Sequence, residues 1–158
     1  MWYFEDLVLG TEIVFESEYH VTEAEIIEVG TRWDPQPFHI DAEAAKHSIF
    51  GGLVASSAHI FSIWVSLGSH DIDKDKQIAA VSALGFDKLQ WHAPVRPGDV
   101  LKSEYKIASM RESKTRPTLG ICTSDCRVFN QNNETVFTLD STFLVPKRDS
   151  AEQYTIGS

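Results

Sequence analysis

The six residues Asp34-Pro35-Gln36-Pro37-Phe38-His39 constrain this chain more than any other stretch. Proline holds its own φ near −65° and pushes the residue before it out of the helical region. Two prolines inside so short a span leave the backbone few shapes, so the segment reads as a stiff, extended connector. It carries a carboxylate at one end and an imidazole at the other. Such a connector is suited to aiming an acid and a base at one point, which is preorganisation rather than packing. The plainer reading is that Asp34 caps a turn and His39 fills a surface gap, since Asp and Pro are ordinary turn residues.

The flanking sequence places this connector between helices. Residues 12–21 read as a strand, with Ile13, Phe15, Tyr19 and Val21 on alternate positions. Thr22 and Glu25 fit a capping box, which opens a helix that runs to about Trp33 and is stopped by Pro35. Asp41 is a second N-cap, opening a short helix over residues 42–47. The spacing then predicts a longer helix over residues 53–67, with Leu53, Ser56, Ser57, Ile60, Trp64 and Leu67 on one face. Small residues at its first turns let other backbones approach closely. Asp71, Asp73 and Asp75 imitate the opening of a calcium loop, but Lys76 stands where glycine is needed and no glutamate closes it. That stretch reads as a solvated turn, with no metal. Strands are expected over residues 78–91, 100–110, 120–130 and 135–145, the last two joined by a turn at Gln131-Asn132-Asn133. Strand, helix, then a run of strands, without βαβ alternation, implies an α+β domain with a mostly antiparallel sheet.

Four separate places now carry a resemblance. Asp34-Pro-Gln-Pro-Phe-His39 resembles the D-x-N-P-x-H signature of the MaoC-like dehydratases, a family that includes the (R)-specific enoyl-CoA hydratases. The GGLVAS run at residues 51–56 resembles the start of the central helix in those hot-dog proteins. The HAPVRPGDVL run at residues 92–101 and the SKTRPTLGI run at residues 113–121 resemble two further strand signatures of the family. The resemblance extends from about Thr22 to Val145. It implies one hot-dog domain over residues 1–146, a curved sheet of about five strands wrapped around a long central helix. A polar C-terminal tail, residues 147–158, is expected to fray.

The resemblance also implies chemistry: reversible addition of water to a trans-2-enoyl thioester, giving the (R)-3-hydroxyacyl product. That reaction needs a base to activate water, an acid to protonate Cα, and a group to hold the enolate charge. The resemblance gives Asp34 the role of base and His39 that of proton donor, around one shared water. Gly51 and Gly52, placed at the start of the longer helix, are the candidates for the thioester carbonyl, because free N–H groups at a helix N-terminus stabilise an oxyanion. The plainer alternative is a loop needing positive φ. Ser56 matches the family's serine and could orient the pair, or could be a small packing residue. Gln36 stands where the family has asparagine, and Phe50 where a histidine often precedes the glycine.

His59 could face the same site one turn beyond Ser56, although a buried histidine is more often a satisfied core residue. His92 reads as structural. Arg96, Lys114 and Arg116 are the candidates for gripping CoA phosphates, against surface solvation for each. Phe38, Phe61, Trp64, Phe86 and Trp91 could line an acyl tunnel or simply fill the core. No cofactor is required, since water and the pair carry the chemistry. An acyl-CoA or acyl-carrier-protein thioester is the implied partner, and hot-dog proteins of this kind pair as homodimers or dimer-based assemblies. Two other reactions fit the same fold: hydrolysis of the thioester, or binding of an acyl thioester without turnover.

Composition bounds the partners. The chain has 158 residues, suited to one domain, and carries 23 acidic against 14 basic residues for a formal charge of −9. Such a surface repels phosphate backbones, which disfavours nucleic acid. It also means that an anionic CoA ligand needs a local basic patch. No apolar run reaches the ~18 residues of a membrane span, and the N-terminus lacks the basic region of a signal peptide. Cys122 and Cys126 are the only cysteines. In a strand they would stand about 13 Å apart, beyond disulfide reach, which favours a reducing, cytoplasmic setting.

Overall fold

The computed structural model describes residues 1–69 and 77–154. Strands β1 (Glu12–Val14) and β2 (Tyr19–His20) lead into helix α1 (Glu23–Trp33). Two single-turn helices follow, α2 (Pro37–Ile40) and α3 (Ala42–Ala45), then helix α4 (Ser57–Leu67). Four long strands complete the fold: β3 (Ser82–Trp91), β4 (Val100–Glu112), β5 (Leu119–Phe129) and β6 (Thr135–Pro146). Among the described residues these form a six-stranded antiparallel sheet in the order β1-β4-β5-β6-β3, with β2 also paired to β4. The triad of Asp71, Asp73 and Asp75 lies outside the described residues.

The caps explain where the helices begin. Thr22 accepts a hydrogen bond from the Glu25 N–H and starts α1, while Asp41 accepts from Glu43 and Ala44 and starts α3. Glu25 does not return the capping-box bond. Its side chain instead accepts the hydroxyl of Tyr19. The expected strand over residues 12–21 is split in two, both parts lying along β4. The interruption is where Ser17 donates its hydroxyl to Leu67 O at the end of α4.

Helix α4 is shorter than its sequence pattern suggests. Residues 53–56 are buried but extended, because their backbone is claimed by other strands of chain: Val54 N–H bonds Phe38 O at 3.1 Å and Ala55 N–H bonds Val95 O at 2.9 Å. The connector between Asp34 and His39 is not extended throughout either. Pro37 occupies the first position of α2, where a missing N–H costs nothing and the fixed φ suits a helix.

Helices α1 and α4 cover one face of the sheet. Ile26 from α1 and Ile60, Ile63 and Leu67 from α4 pack with Leu101, Val128, Val136, Phe137 and Leu139. Each such side chain contributes roughly 1.5–3 kcal/mol when fully buried. Phe61, Trp64, Phe86, Trp91 and Phe137 join by tilted and edge contacts into an aromatic layer.

A second, smaller cluster seals the other end of the sheet. Phe4 lies on Gly120, where an added Cβ would stand 2.0 Å from the ring, and Leu7 packs with Cys122 and Val145. The tail is not frayed over its described part. Residues Arg148–Gln153 form a 3-10 helix, Arg148 pairs with Asp6, and Thr118 bonds the Tyr154 hydroxyl at 2.6 Å. Among the described residues no helix is long and apolar enough to cross a membrane. The architecture is that of an α+β hot-dog domain, its antiparallel sheet laid against helix. Helix α4 spans 11 residues and is no longer than α1.

Candidate active site

Asp34 is the first residue beyond α1. Its N–H closes on Gly30 O at 2.9 Å, and its φ of −152° ends the helix. The chain then turns tightly: Gln36 N–H bonds Asp34 O at 2.8 Å, and His39 N–H bonds Gln36 O at 2.8 Å. This turn brings His39 back beneath α1. The approach is close enough that a Cβ on Gly30 would lie 2.8 Å from His39 O and 2.9 Å from its Cβ. Only glycine leaves room for the two segments to meet.

The His39 ring is 6% exposed and fixed on two sides. Phe38 meets it edge-on, with centroids 4.6 Å apart at 74°. Its Nδ1 lies 2.6 Å from Val54 O. A carbonyl only accepts, so Nδ1 carries the hydrogen and Nε2 is left for chemistry. That Nε2 stands 3.5 Å from Asp34 Oδ2, whose side chain is 40% exposed. A carboxylate and an imidazole nitrogen so placed can grip one water between them, the carboxylate accepting one of its hydrogens. The pair can equally pass a proton between its members.

Other candidates from the sequence fall into different places. Gly51 has φ +63° and gives its N–H to Ser48 O at 3.0 Å, so it serves a turn. Neither Gly51 nor Gly52 opens a helix, because α4 begins at Ser57 and its positive end lies there. Arg96 is partly engaged within the chain. Its Nη2 donates to Phe50 O at 2.7 Å, and its Nη1 would lie 3.4 Å from a Cβ on Gly52. It clamps the Phe50-Gly51-Gly52 loop. Ser56 is buried, and the bond it makes is to the His59 N–H at 3.3 Å, a helix cap rather than a contact with the pair. Gln36 is exposed and caps α2 without a side-chain bond.

Lys114 and Arg116 are exposed in the turn between β4 and β5. The length of β4 separates them from Arg96, a path of about 40 Å at ~3.3 Å per residue. Phe38 and Phe50 stack together beside His39. His92 bonds Thr138 Oγ1 at 2.7 Å across the sheet. Burial pushes the Cys122 and Cys126 thiols up to about 11, so neither is a nucleophile near neutral pH.

A second carboxylate–histidine pair was not foreseen from the sequence. His59 Nε2 lies 3.4 Å from Glu25 Oε1, and Glu25 accepts the Tyr19 hydroxyl. These three line a groove of about 310 Å³ between α1 and α4, with Val29, Trp33 and Ser62. A larger concavity of about 570 Å³ lies on the sheet over Glu104, Asp125, Arg127 and Asp140, and none of the candidate residues lines it.

Comparison with known proteins was made against this geometry. A sequence model of the MaoC-like domain matches residues 6–124. The crystal structure of a MaoC-like dehydratase from Rhodospirillum rubrum superposes with a TM-score of 0.83 at 34% identity, over 94% of this chain and 99% of that one. Mesaconyl-CoA hydratase of Cereibacter sphaeroides is 32% identical over 77 residues, 49% of this chain and 22% of that protein. The fold is also that of an (R)-hydratase from A. caviae involved in PHA biosynthesis, with a TM-score of 0.69 at 21% identity, covering 90% and 99% of the two chains.

Proposed function

The chain belongs to the MaoC-like domain family, and on that premise we propose that it is a hydratase acting on a trans-2-enoyl thioester. The product is the (R)-3-hydroxyacyl thioester, and the reverse reaction is a dehydration. The observation that carries the reading is the aimed pair: His39 Nε2 faces Asp34 Oδ2 across 3.5 Å while Nδ1 is tied to Val54 O. The hydratases among the similar proteins support the reaction class.

Balanced as a cycle, Asp34 takes a proton from water as the oxygen bonds Cβ. The electron pair of the double bond moves toward the thioester oxygen, and doubly protonated His39 then gives its Nε2 proton to Cα. A proton passes from Asp34 to His39 to restore the starting state. General acid–base work of this kind contributes about 10²–10⁴-fold to rate. The loop at Gly51-Gly52, held by Arg96, is the candidate for receiving the thioester carbonyl, since it presents little side chain to a ligand.

The proposal includes a homodimer. Strand β3 ends the sheet and leaves Leu84 and Trp91 53% and 45% exposed, an edge that a second copy would cover. Lys114 and Arg116 lie at the far end of β4 from the Arg96 loop, and any role on a CoA phosphate is assigned to that second copy. The test is the absorbance of crotonyl-CoA at the enoyl-thioester band, with wild type beside Asp34→Asn. Loss of the band with wild type alone is expected. Undiminished turnover by Asp34→Asn would sink the mechanism, and free thiol released from a saturated acyl-CoA would replace hydration by hydrolysis.

A further inference from the structure

Arg96 lies in the turn between β3 and β4, and its backbone is held more firmly than a solvated side chain requires. Its N–H donates to Asp99 Oδ2 at 2.8 Å, and the Asp99 N–H returns a bond to Arg96 O at 3.1 Å. The other Asp99 oxygen accepts from Gln131 Nε2 at 3.1 Å, while Gln131 Oε1 accepts the Val100 N–H at 3.0 Å. Val21 brackets the same turn, its N–H on Asp99 O at 2.9 Å and its C=O on the Gly98 N–H at 2.8 Å. Pro97 restricts Arg96 to extended backbone, and Gly98 takes the left-handed φ of +89° that closes the turn. The Asp99 carboxylate is thus engaged by other donors. Among the described residues no carboxylate forms an ion pair with the Arg96 guanidinium, in a chain of formal charge −9.

That guanidinium meets the loop before Leu53. Nη2 donates to Phe50 O at 2.7 Å, and the Gly51 N–H, in the same peptide unit, bonds Ser48 O at 3.0 Å. The peptide is pinned at both ends. Downstream, Val54 and Ala55 are pinned in turn by Phe38 O and Val95 O. Between these anchors, the N–H groups of Gly52 and Leu53 meet no acceptor among the described residues. Gly52 is two residues before Val54, whose carbonyl holds His39, so their Cα atoms are at most about 7 Å apart. Arg96 Nη1 stands 3.4 Å from where a Cβ on Gly52 would lie, which sets the positive charge beside the free N–H.

We infer that Arg96 is a positioning residue for hydration: by holding the Phe50–Gly51 peptide it aims the Gly52 N–H at the thioester carbonyl, and its unmatched charge steadies the enolate oxygen that forms there. The inference rests on the hydratase reading for the carbonyl. Arg96 acts through the loop and touches no reacting atom. A donor fixed in advance needs no reorganisation as charge develops, which gives the bonds behind Arg96 a purpose beyond folding.

The experiment compares crotonyl-CoA with the crotonyl thioester of N-acetylcysteamine, which has the same reacting atoms and no phosphate. Arg96→Gln is expected to lower kcat about tenfold or more, by the same factor on both thioesters, short of the roughly 10²–10³-fold lost with an entire oxyanion donor. Arg96→Lys keeps the charge and one donor without the planar fork, and is expected to fall between wild type and Arg96→Gln. Tm for each variant places the rates on a folded-protein basis. A loss confined to crotonyl-CoA and expressed in KM makes Arg96 a phosphate ligand and overturns the inference. Unchanged kcat in Arg96→Gln overturns it too, as does a loss that only follows the folded fraction. A second readout is the infrared band of an isotope-labelled thioester carbonyl in butyryl-CoA, which is saturated and is not hydrated. Wild type is expected to lower its wavenumber relative to free butyryl-CoA, and Arg96→Gln to return it toward the free value. Should wild type hydrate neither crotonyl thioester, the hydratase reading fails by itself, and this band decides the role of Arg96. A shift lost in Arg96→Gln upholds its hold on the carbonyl, and no shift, or the same shift in both proteins, overturns it.

Discussion

The Asp34–His39 and Glu25–His59 pairs have almost the same separation, 3.5 and 3.4 Å, yet they are anchored in opposite ways. In the first, the histidine is pinned by the Val54 carbonyl, and the carboxylate is left partly in solvent. In the second, the carboxylate is pinned by Tyr19, and the histidine is buried without a bond. Distance alone therefore does not make the two pairs alike. What differs is which group is held, and so which is left open to exchange protons. The first pair is satisfied and aimed outward. The second stores an unmet hydrogen bond.

The comparison breaks most visibly at the two carboxylates. Asp34→Asn should lower kcat by about 10³-fold or more, worth ~4 kcal/mol of transition-state stabilisation. Glu25→Gln should leave kcat for crotonyl-CoA near that of wild type, and steady-state kinetics on both variants separates the two. An equal fall in kcat from each would make the pairs one site.

Next in size is Gly30→Ala. Helix propensity alone favours alanine by about 1 kcal/mol, but the new Cβ would collide with His39. Thermal unfolding should show a lower Tm, and kcat should fall about 10²-fold from the displaced ring. A stabilised, active variant would show that α1 and α2 meet less tightly than described. His59→Leu should work in the other direction and stabilise the fold by about 1–2 kcal/mol. That corresponds to a rise in Tm of roughly 2–6 °C for a domain of this size. A fall would mean that His59 is satisfied after all. The smallest expected effect is that of Ser56→Ala, about 1 kcal/mol for a lost cap, with kcat for crotonyl-CoA within about twofold of wild type. A large loss of kcat at unchanged stability would restore Ser56 to the reacting pair.

Much of this was readable before the fold. Thr22 and Asp41 cap where expected, and the four long strands fall within a few residues of their alternating patterns. That Asp34 and His39 come close together was legible, because the prolines between them leave the chain little choice. Residues 53–56 were misread as helix because a buried apolar run looks the same whether it coils or extends. The decision came from Phe38 and Val95, distant in sequence, which claim its backbone. Pro37 was read as extending the connector, although a first-turn position suits it equally well. That Arg96 holds the Phe50 loop was not legible, because a solvated arginine and a loop clamp have the same local sequence. Glu25 was hidden behind a capping-box motif, and only the packing of α1 against α4 shows that its side chain faces His59.

Val54 holds His39 with its peptide group alone: its N–H reaches Phe38 O, and its C=O accepts the hydrogen bond of His39 Nδ1. Side-chain identity at position 54 is thus uncoupled from the chemistry, provided the volume still suits a buried site. The groove-facing positions of α1, Glu25, Val29 and Trp33, are likewise separate from Gly30, which gives His39 its room, and from Asp34. One stripe of α1 can thus vary while the neighbouring stripe, which seats His39, is inherited intact.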